Sequence, residues 1–197
     1  MVLVLTGKAG AGKDTIKNIL MDMGMEWLPS HTTRPMREGE VEGKEYHFLT
    51  DKEWDDKDYI ESRIYTTEKD GKPVDYRYGT PKTELDKHKL YITIKDKDGA
   101  LALRNYHGSK AVWIAYIDAP FEVRTERAKN RGSFDALDWE KRREADDKQF
   151  HDVRYADIQF ENTSKELLSK NLIGLYELMD SMNRASLYNE PEQEPER

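Results

Sequence analysis

The chain of 197 residues contains no cysteine. Disulfide frameworks and thiolate metal sites are therefore excluded. No apolar run approaches the ~18 residues that a membrane span needs, so no membrane partner is expected. The apolar N-terminal stretch "MVLVLT" runs straight into glycines and does not read as a signal peptide. A cytoplasmic protein is the expectation. Basic residues are not in excess: 32 Lys and Arg stand against 39 Asp and Glu, for a net charge of -7. A general nucleic-acid binder usually shows a basic surface, so no nucleic-acid partner is expected, and an anionic ligand would need a local basic pocket. The histidines are scattered without metal-ligand spacing, and there is no internal repeat or long linker.

What is present is a set of short apolar runs separated by polar segments. "VLVLT" at 2–6 reads as a buried strand stopped by glycine. "DTIKNILMDM" carries Ile16, Ile19, Leu20 and Met23 at helical spacing, with Gly24 as its stop. Strand, glycine-rich turn and helix together open a parallel α/β unit. Residues 30–80 are polar and broken by glycines. They read as an inserted lobe of short strands, with a small helix near "DKEWDD" and a hairpin tip at "EKDGKP". "LYITI" (90–94), "AVWIAYI" (111–117) and "ADIQF" (156–160) are further strands. "FEVRTERAKNR" and residues 135–151 read as helices. "SKELLSKNLIGLYELMDSM" (164–182) reads as an amphipathic closing helix capped by Ser164. The tail 189–197, "NEPEQEPER", is acidic, has no apolar residue and is expected to be disordered.

The turn after the first strand has phosphate-loop spacing: Gly7, four residues, Gly12, Lys13. Glycines let successive backbone N–H groups curl around phosphate oxygens, and the helix that follows points its positive end at them. The cofactor contacts expected here come from Gly7, Ala9, Gly10, Ala11, Gly12, Lys13, Asp14 and Thr15. Lys13 would neutralise charge on the β- and γ-phosphates. Asp14 stands where such loops carry a hydroxyl. It is either a magnesium ligand or a helix N-terminal acid, and the sequence leaves both readings open.

Downstream, "SHTTRPMREGEVEGKEYHF" (30–48) places Arg34 and Arg37 three apart with Tyr46 beyond them. Two guanidiniums and a phenol can converge on one phosphate. With Ser30, Thr32, Thr33, Gly39, Glu40, Gly43 and Phe48, and with "YIE" and "YGT" further on, this block resembles the guanylate kinase family. The resemblance runs over nearly the whole chain before the tail. It implies an α/β fold: a P-loop NTPase three-layer core with a parallel sheet, an inserted NMP-binding lobe and a helical lid. The implied division is core 1–29, 81–125 and 156–188, lobe 30–80 and lid 126–155. It further implies small-molecule nucleotide substrates, ATP and Mg2+ as cofactors, and a monomer or homodimer. Arg34, Arg37, Tyr46 and Tyr78 would hold the monophosphate, and Ser30, Glu61 and Thr80 would read the base. Guanine presents N1–H and N2–H2 donors beside the O6 acceptor, which suits an ionised Glu and a hydroxyl. "PFEVRTERAKNRG" resembles the family's lid, with Arg127 and Arg131 on its arginines and Arg142 where another falls. These three would neutralise the transferring phosphoryl group. Asn162 would contact the ATP adenine.

The chain departs from the family in four places. Asp14 replaces the loop hydroxyl. In "IKDKDG", Ile94 and Asp98 replace an acid and a Gln, leaving Asp96 as the acid in place, a candidate for the substrate side and for magnesium-bound water. The segment between Glu61 and Tyr78 is longer, and His31 sits inside the arginine block. The expected reaction is ATP-dependent phosphorylation of GMP or dGMP. The rivals are a kinase for another, modified deoxynucleotide, a ribose 1,5-bisphosphate kinase, and a non-catalytic binding module. The sugar kinase needs no base-reading acid, and binding modules lose the phosphate loop.

Overall fold

The computed structural model describes residues 1–69, 72–130 and 134–188. β1 (Val2–Thr6) lies at the centre of a five-stranded sheet of order β2-β7-β1-β8-β9. Its partners are β2 (Glu26–Trp27), β7 (Tyr91–Ile94), β8 (Val112–Asp118) and β9 (Ile158–Glu161), all paired in parallel. β1 reads as an unbroken apolar run because both its faces are covered. Leu3 and Leu5 pack with Ile16 and Leu20 of α1 (Lys13–Asp22) and with Leu168, Leu172, Leu175 and Met179 of α5 (Lys165–Tyr188). Val2 and Val4 face the other way, onto Ala100 and Leu103 of α2 (Lys97–His107). Helix, sheet and helix are the three expected layers.

α1 ends in a Schellman motif. The N–H of Gly24 donates to Met21 and that of Met25 to Leu20, and Gly24 supplies the positive φ of 112° that this turn requires. The helix therefore stops where the sequence places its stop.

The second sheet has the order β4-β3-β6-β5 and is built from β3 (Ser30–Thr32), β4 (Tyr46–Phe48), β5 (Tyr59–Lys69) and β6 (Lys72–Pro81). β5 and β6 form an antiparallel hairpin in which Glu61 faces Thr80, Ser62 faces Gly79 and Arg63 faces Tyr78. α3 (Phe121–Lys129) and α4 (Ala136–Gln149) lie over the loop that follows β1. α4 buries none of its residues. Among the described residues, no helix is long and apolar enough to cross a membrane.

The elements differ from the sequence reading in a few places. The small helix expected near "DKEWDD" is a 3-10 helix over Asp56–Asp58, capped by the Asp55 carboxylate, that follows a turn. α2 is a helix that the periodicity did not mark. Its apolar face is narrow, and Gly99 stands in its first turn. The last strand lies two residues later at its start than "ADIQF", and β2 is a strand too short to read. The hairpin tip at 70–71, Arg131 and the tail 189–197 lie outside the described residues.

Candidate active site

The site forms where the carboxyl ends of β1 and β7 adjoin, the usual place for ligands on an open parallel sheet. At the end of β1 the chain turns tightly under β8. A Cβ on Gly7 would lie 2.2 Å from the Ile117 carbonyl oxygen, and one on Gly12 would lie 2.3 Å from Asn162 Nδ2. Both positions have positive φ, 142° and 94°. The loop thus needs glycine for its conformation and for its packing.

Its carbonyls are held from outside by side chains. Asn162 Nδ2 donates to Ala11 O at 2.8 Å. Arg127 donates to Gly10 O and Ala11 O at 3.4 and 3.3 Å, and to Asn162 O at 2.9 Å. Arg124, only 4% exposed, donates to Ala119 O and Ala9 O. Lys13 Nζ folds over the loop onto Gly7 O and Lys8 O, at 2.6 and 3.0 Å. Because α1 begins at Lys13, its first amides have no partner within the helix. One loop amide, Ala9 N–H, donates to Asp146 of α4 at 2.6 Å, and Lys8 pairs with the adjacent Asp147 at 2.6 Å.

Asn162 is buried, and its amide N–H2 group braces the loop. Arg127 reaches the loop main chain. Arg142 is exposed, pairs with Asp138 at 2.8 Å and lines the clefts on both sides of Arg37. Asp14 and Thr15 are exposed at the start of α1. Asp14 borders a space of about 240 Å3 with Lys17, Ser30, Glu45 and Tyr46, between the two sheets.

The larger cleft, about 660 Å3, unites Ser30, Arg37, Tyr46, Glu61, Tyr78, Asp96 and Arg142. Arg34 sits behind it. Its fork grips Glu40 through two bonds of 2.7 Å, and the rings of Tyr46 and Phe48 lie 5.3 Å from its guanidinium carbon. The Arg34 hydrogen bonds hold the Glu40 carboxyl at about 2, so the pair stays ionised. Arg34 therefore fixes the 34–40 turn and the two rings, while Arg37 faces the cleft. Burial raises the Tyr46 phenol above its ordinary value, leaving it a neutral donor.

Thr80, 7% exposed, donates its O–H to Glu61 Oε1 at 2.6 Å. Alternation along β3 sends Ser30 to the cleft and His31 to the opposite face, where His31 Nδ1 meets the Tyr59 hydroxyl at 3.0 Å. His31 thus leaves the cleft unchanged. Both Asp96 oxygens have partners: Oδ1 caps α2 through Gly99 N–H at 2.8 Å, and Oδ2 meets Arg63 at 2.7 Å. Asp98 is also paired with Arg63. Asp14, by contrast, is exposed and has Lys17 Nζ 3.9 Å from its carboxylate. Among the described residues, no three His, Asp or Glu cluster as a metal site.

The sequence reading passed over Lys95, Arg63, Arg124 and Asp146. Lys95 stands in the same "IKDKDG" stretch whose acids were compared, and its basic residues carry the surprise. It is almost fully buried, and its ammonium donates to Ser30 Oγ. Burial pulls it down to about 8, against the opposing charges of Glu61 and Asp96. A lysine at the carboxyl end of an apolar strand is the signal that could have found it.

The sequence profile of the guanylate kinase family matches residues 1–170. A guanylate kinase from Onion yellows phytoplasma is 27% identical over 197 residues, covering 96% of this chain and 91% of that protein. One from Gloeobacter violaceus is 36% identical over 143 residues, covering 67% of this chain and 65% of that protein. The crystal structure of guanylate kinase from Anaplasma phagocytophilum superposes with a TM-score of 0.62 at 20% identity, covering 93% of this chain and 86% of that one.

Proposed function

The chain belongs to the guanylate kinase family, and from that membership we propose that it transfers the γ-phosphoryl group of ATP to GMP or dGMP. The observation that carries the acceptor assignment is Glu61. This carboxylate faces one end of a cleft whose other residues include Arg37, Tyr46 and Tyr78. A carboxylate only accepts, which suits the N1–H and N2–H2 donors of guanine and repels the unprotonated N1 of adenine. Arg37 with the two phenols suits a phosphate.

The residues of the donor side fit ATP and magnesium. The amides of Gly10 and of Gly12 to Thr15 and the Lys13 ammonium would hold the phosphates, and Asp14 would meet the metal. Magnesium, when bound, supplies charge neutralisation on the β- and γ-phosphates. The protein's part is positioning: Arg37, Tyr46 and Tyr78 hold the acceptor phosphate facing the loop, and Arg142 brings positive charge from the lid side. No covalent intermediate on the protein is required. In this reading residues 30–80 move as an acceptor lobe and 126–155 as a lid against the remaining core.

The test is to incubate the protein with ATP and magnesium and to screen GMP, dGMP, AMP, dTMP and ribose 1,5-bisphosphate. GMP or dGMP should be turned over fastest. Turnover of the sugar phosphate alone would remove Glu61 from base reading, and no turnover with any acceptor would end the kinase assignment.

A further inference from the structure

Ser30, which lines the acceptor cleft, and Thr80, buried against Glu61, have hydroxyls of opposite hydrogen-bond polarity, each set by a charged neighbour. Lys95 Nζ lies 2.5 Å from Ser30 Oγ. An ammonium only donates, so the Ser30 oxygen accepts and its own O–H hydrogen is directed elsewhere. Thr80 Oγ1 lies 2.6 Å from Glu61 Oε1. An ionised carboxylate only accepts, so the Thr80 hydrogen is engaged and its oxygen is left to accept. Ser30, Glu61 and Lys95 all line the cleft. Ser30 therefore offers its hydrogen as a donor in the cleft beside the Glu61 carboxylate, which accepts.

We infer that Lys95 is a positioning residue for base selection: it fixes Ser30 as a donor, so that the cleft takes purine nucleotides carrying an acceptor at position 6 and turns away those carrying an amino group there. This rests on the guanine-nucleotide reading above. Lys95 is placed by β7, whose parallel pairing with β1 continues through the Lys95 N–H to Leu5 O at 3.0 Å. The side chain then lies under the cleft with Glu61 and Asp96 as counter-charges. Its value of about 8 leaves it mainly an ammonium at neutral pH. Without it, the Ser30 hydroxyl is free to rotate, and a hydroxyl that donates or accepts at will cannot tell a 6-oxo from a 6-amino group.

Three acceptors separate the contacts. GMP offers O6, N1–H and the 2-amino group. IMP lacks only the 2-amino group, and 6-thio-GMP keeps both donors but has a poorer acceptor at position 6. Wild type should favour GMP over 6-thio-GMP by about tenfold or more in kcat/KM. Lys95→Met should reduce that preference to within about threefold while moving the GMP-to-IMP ratio by less than about twofold. Ser30→Ala should give the same collapse. In the Ser30→Ala background, Lys95→Met should have no further effect on the thio preference, because the two act as a unit. Lys95→Arg should restore most of it.

Equal slowing of all three acceptors in Lys95→Met would assign the residue to fold maintenance alone. A full effect of Lys95→Met in the Ser30→Ala background would show that it touches the base directly. Either result overturns the proposal. Failure of wild type to use any purine monophosphate overturns the function instead. Calorimetric affinities of the same three nucleotides for the same variants then decide the role of Lys95 separately.

Discussion

The phosphate loop and the acceptor cleft adjoin at the ends of neighbouring strands, yet they are built of different material. The loop is main chain held by side chains: Asn162, Arg127 and Arg124 all donate to its carbonyls. The cleft is side chains held by other side chains: Lys95 on Ser30, Thr80 on Glu61, Glu40 on Arg34 and Arg63 on Asp96. A main-chain site depends on a few glycines and on whatever can reach its carbonyls, so its spacing survives large changes elsewhere. A side-chain site depends on pairings between distant positions, and one new partner can reset the polarity of an old one.

Substitutions at four positions test this contrast, taken from the largest expected effect to the smallest. Lys13→Ala should lower kcat by on the order of a thousandfold, because it removes charge compensation on the transferring group. GMP affinity by calorimetry should stay within about twofold if the halves are independent, so a parallel loss of GMP binding would break the comparison. Glu61→Ala should cut the preference for GMP over AMP by on the order of a hundredfold and leave the KM for ATP unmoved. Equal GMP and AMP rates before and after the change would remove Glu61 from base reading.

Asp14→Ala should raise the magnesium concentration for half-maximal rate by about three- to tenfold, while Asp14→Ser keeps turnover. An unchanged magnesium dependence would mean that the carboxylate serves only the helix dipole, worth about 0.3–1 kcal/mol of stability. Asp146→Ala frees the Ala9 amide from a carboxylate and should tighten ATP binding by about two- to fivefold in a fluorescence titration. Weaker ATP binding would show instead that Asp146 holds α4 in a productive place.

Much of the fold was legible because its signals are local. β1, α1 and its Gly24 stop, β7, β8 and the helices over the loop follow from runs, periods and glycines within a dozen residues. α2 was missed because its buried residues are few and its start depends on the Asp96 cap, a hydrogen bond that the composition does not announce. In the candidate site, the spacing of Gly7, Gly12 and Lys13 and the arginine block pointed to a loop and a cleft that the structure sets side by side. What stayed hidden were partnerships: Glu40 in the fork of Arg34, Asp146 on Ala9, and Lys95 beneath Ser30, 65 residues away in sequence. Comparing "IKDKDG" with the family by its acids drew attention to Asp96. The structure ties Asp96 to Arg63 and gives the neighbouring lysine the contact with the cleft.

Arg63 has one more consequence. It reaches from β5 to both Asp96 and Asp98 at the start of α2, so the hairpin is fastened to the core by an ionic clasp at the cleft's edge. An apolar joint exposes surface whenever it opens. Charged groups that part can instead be rewetted, and their attraction fades within about 8 Å at physiological ionic strength. Dissolved salt therefore weakens this joint between β5 and α2 by screening, a dependence set by its charges and not by apolar burial.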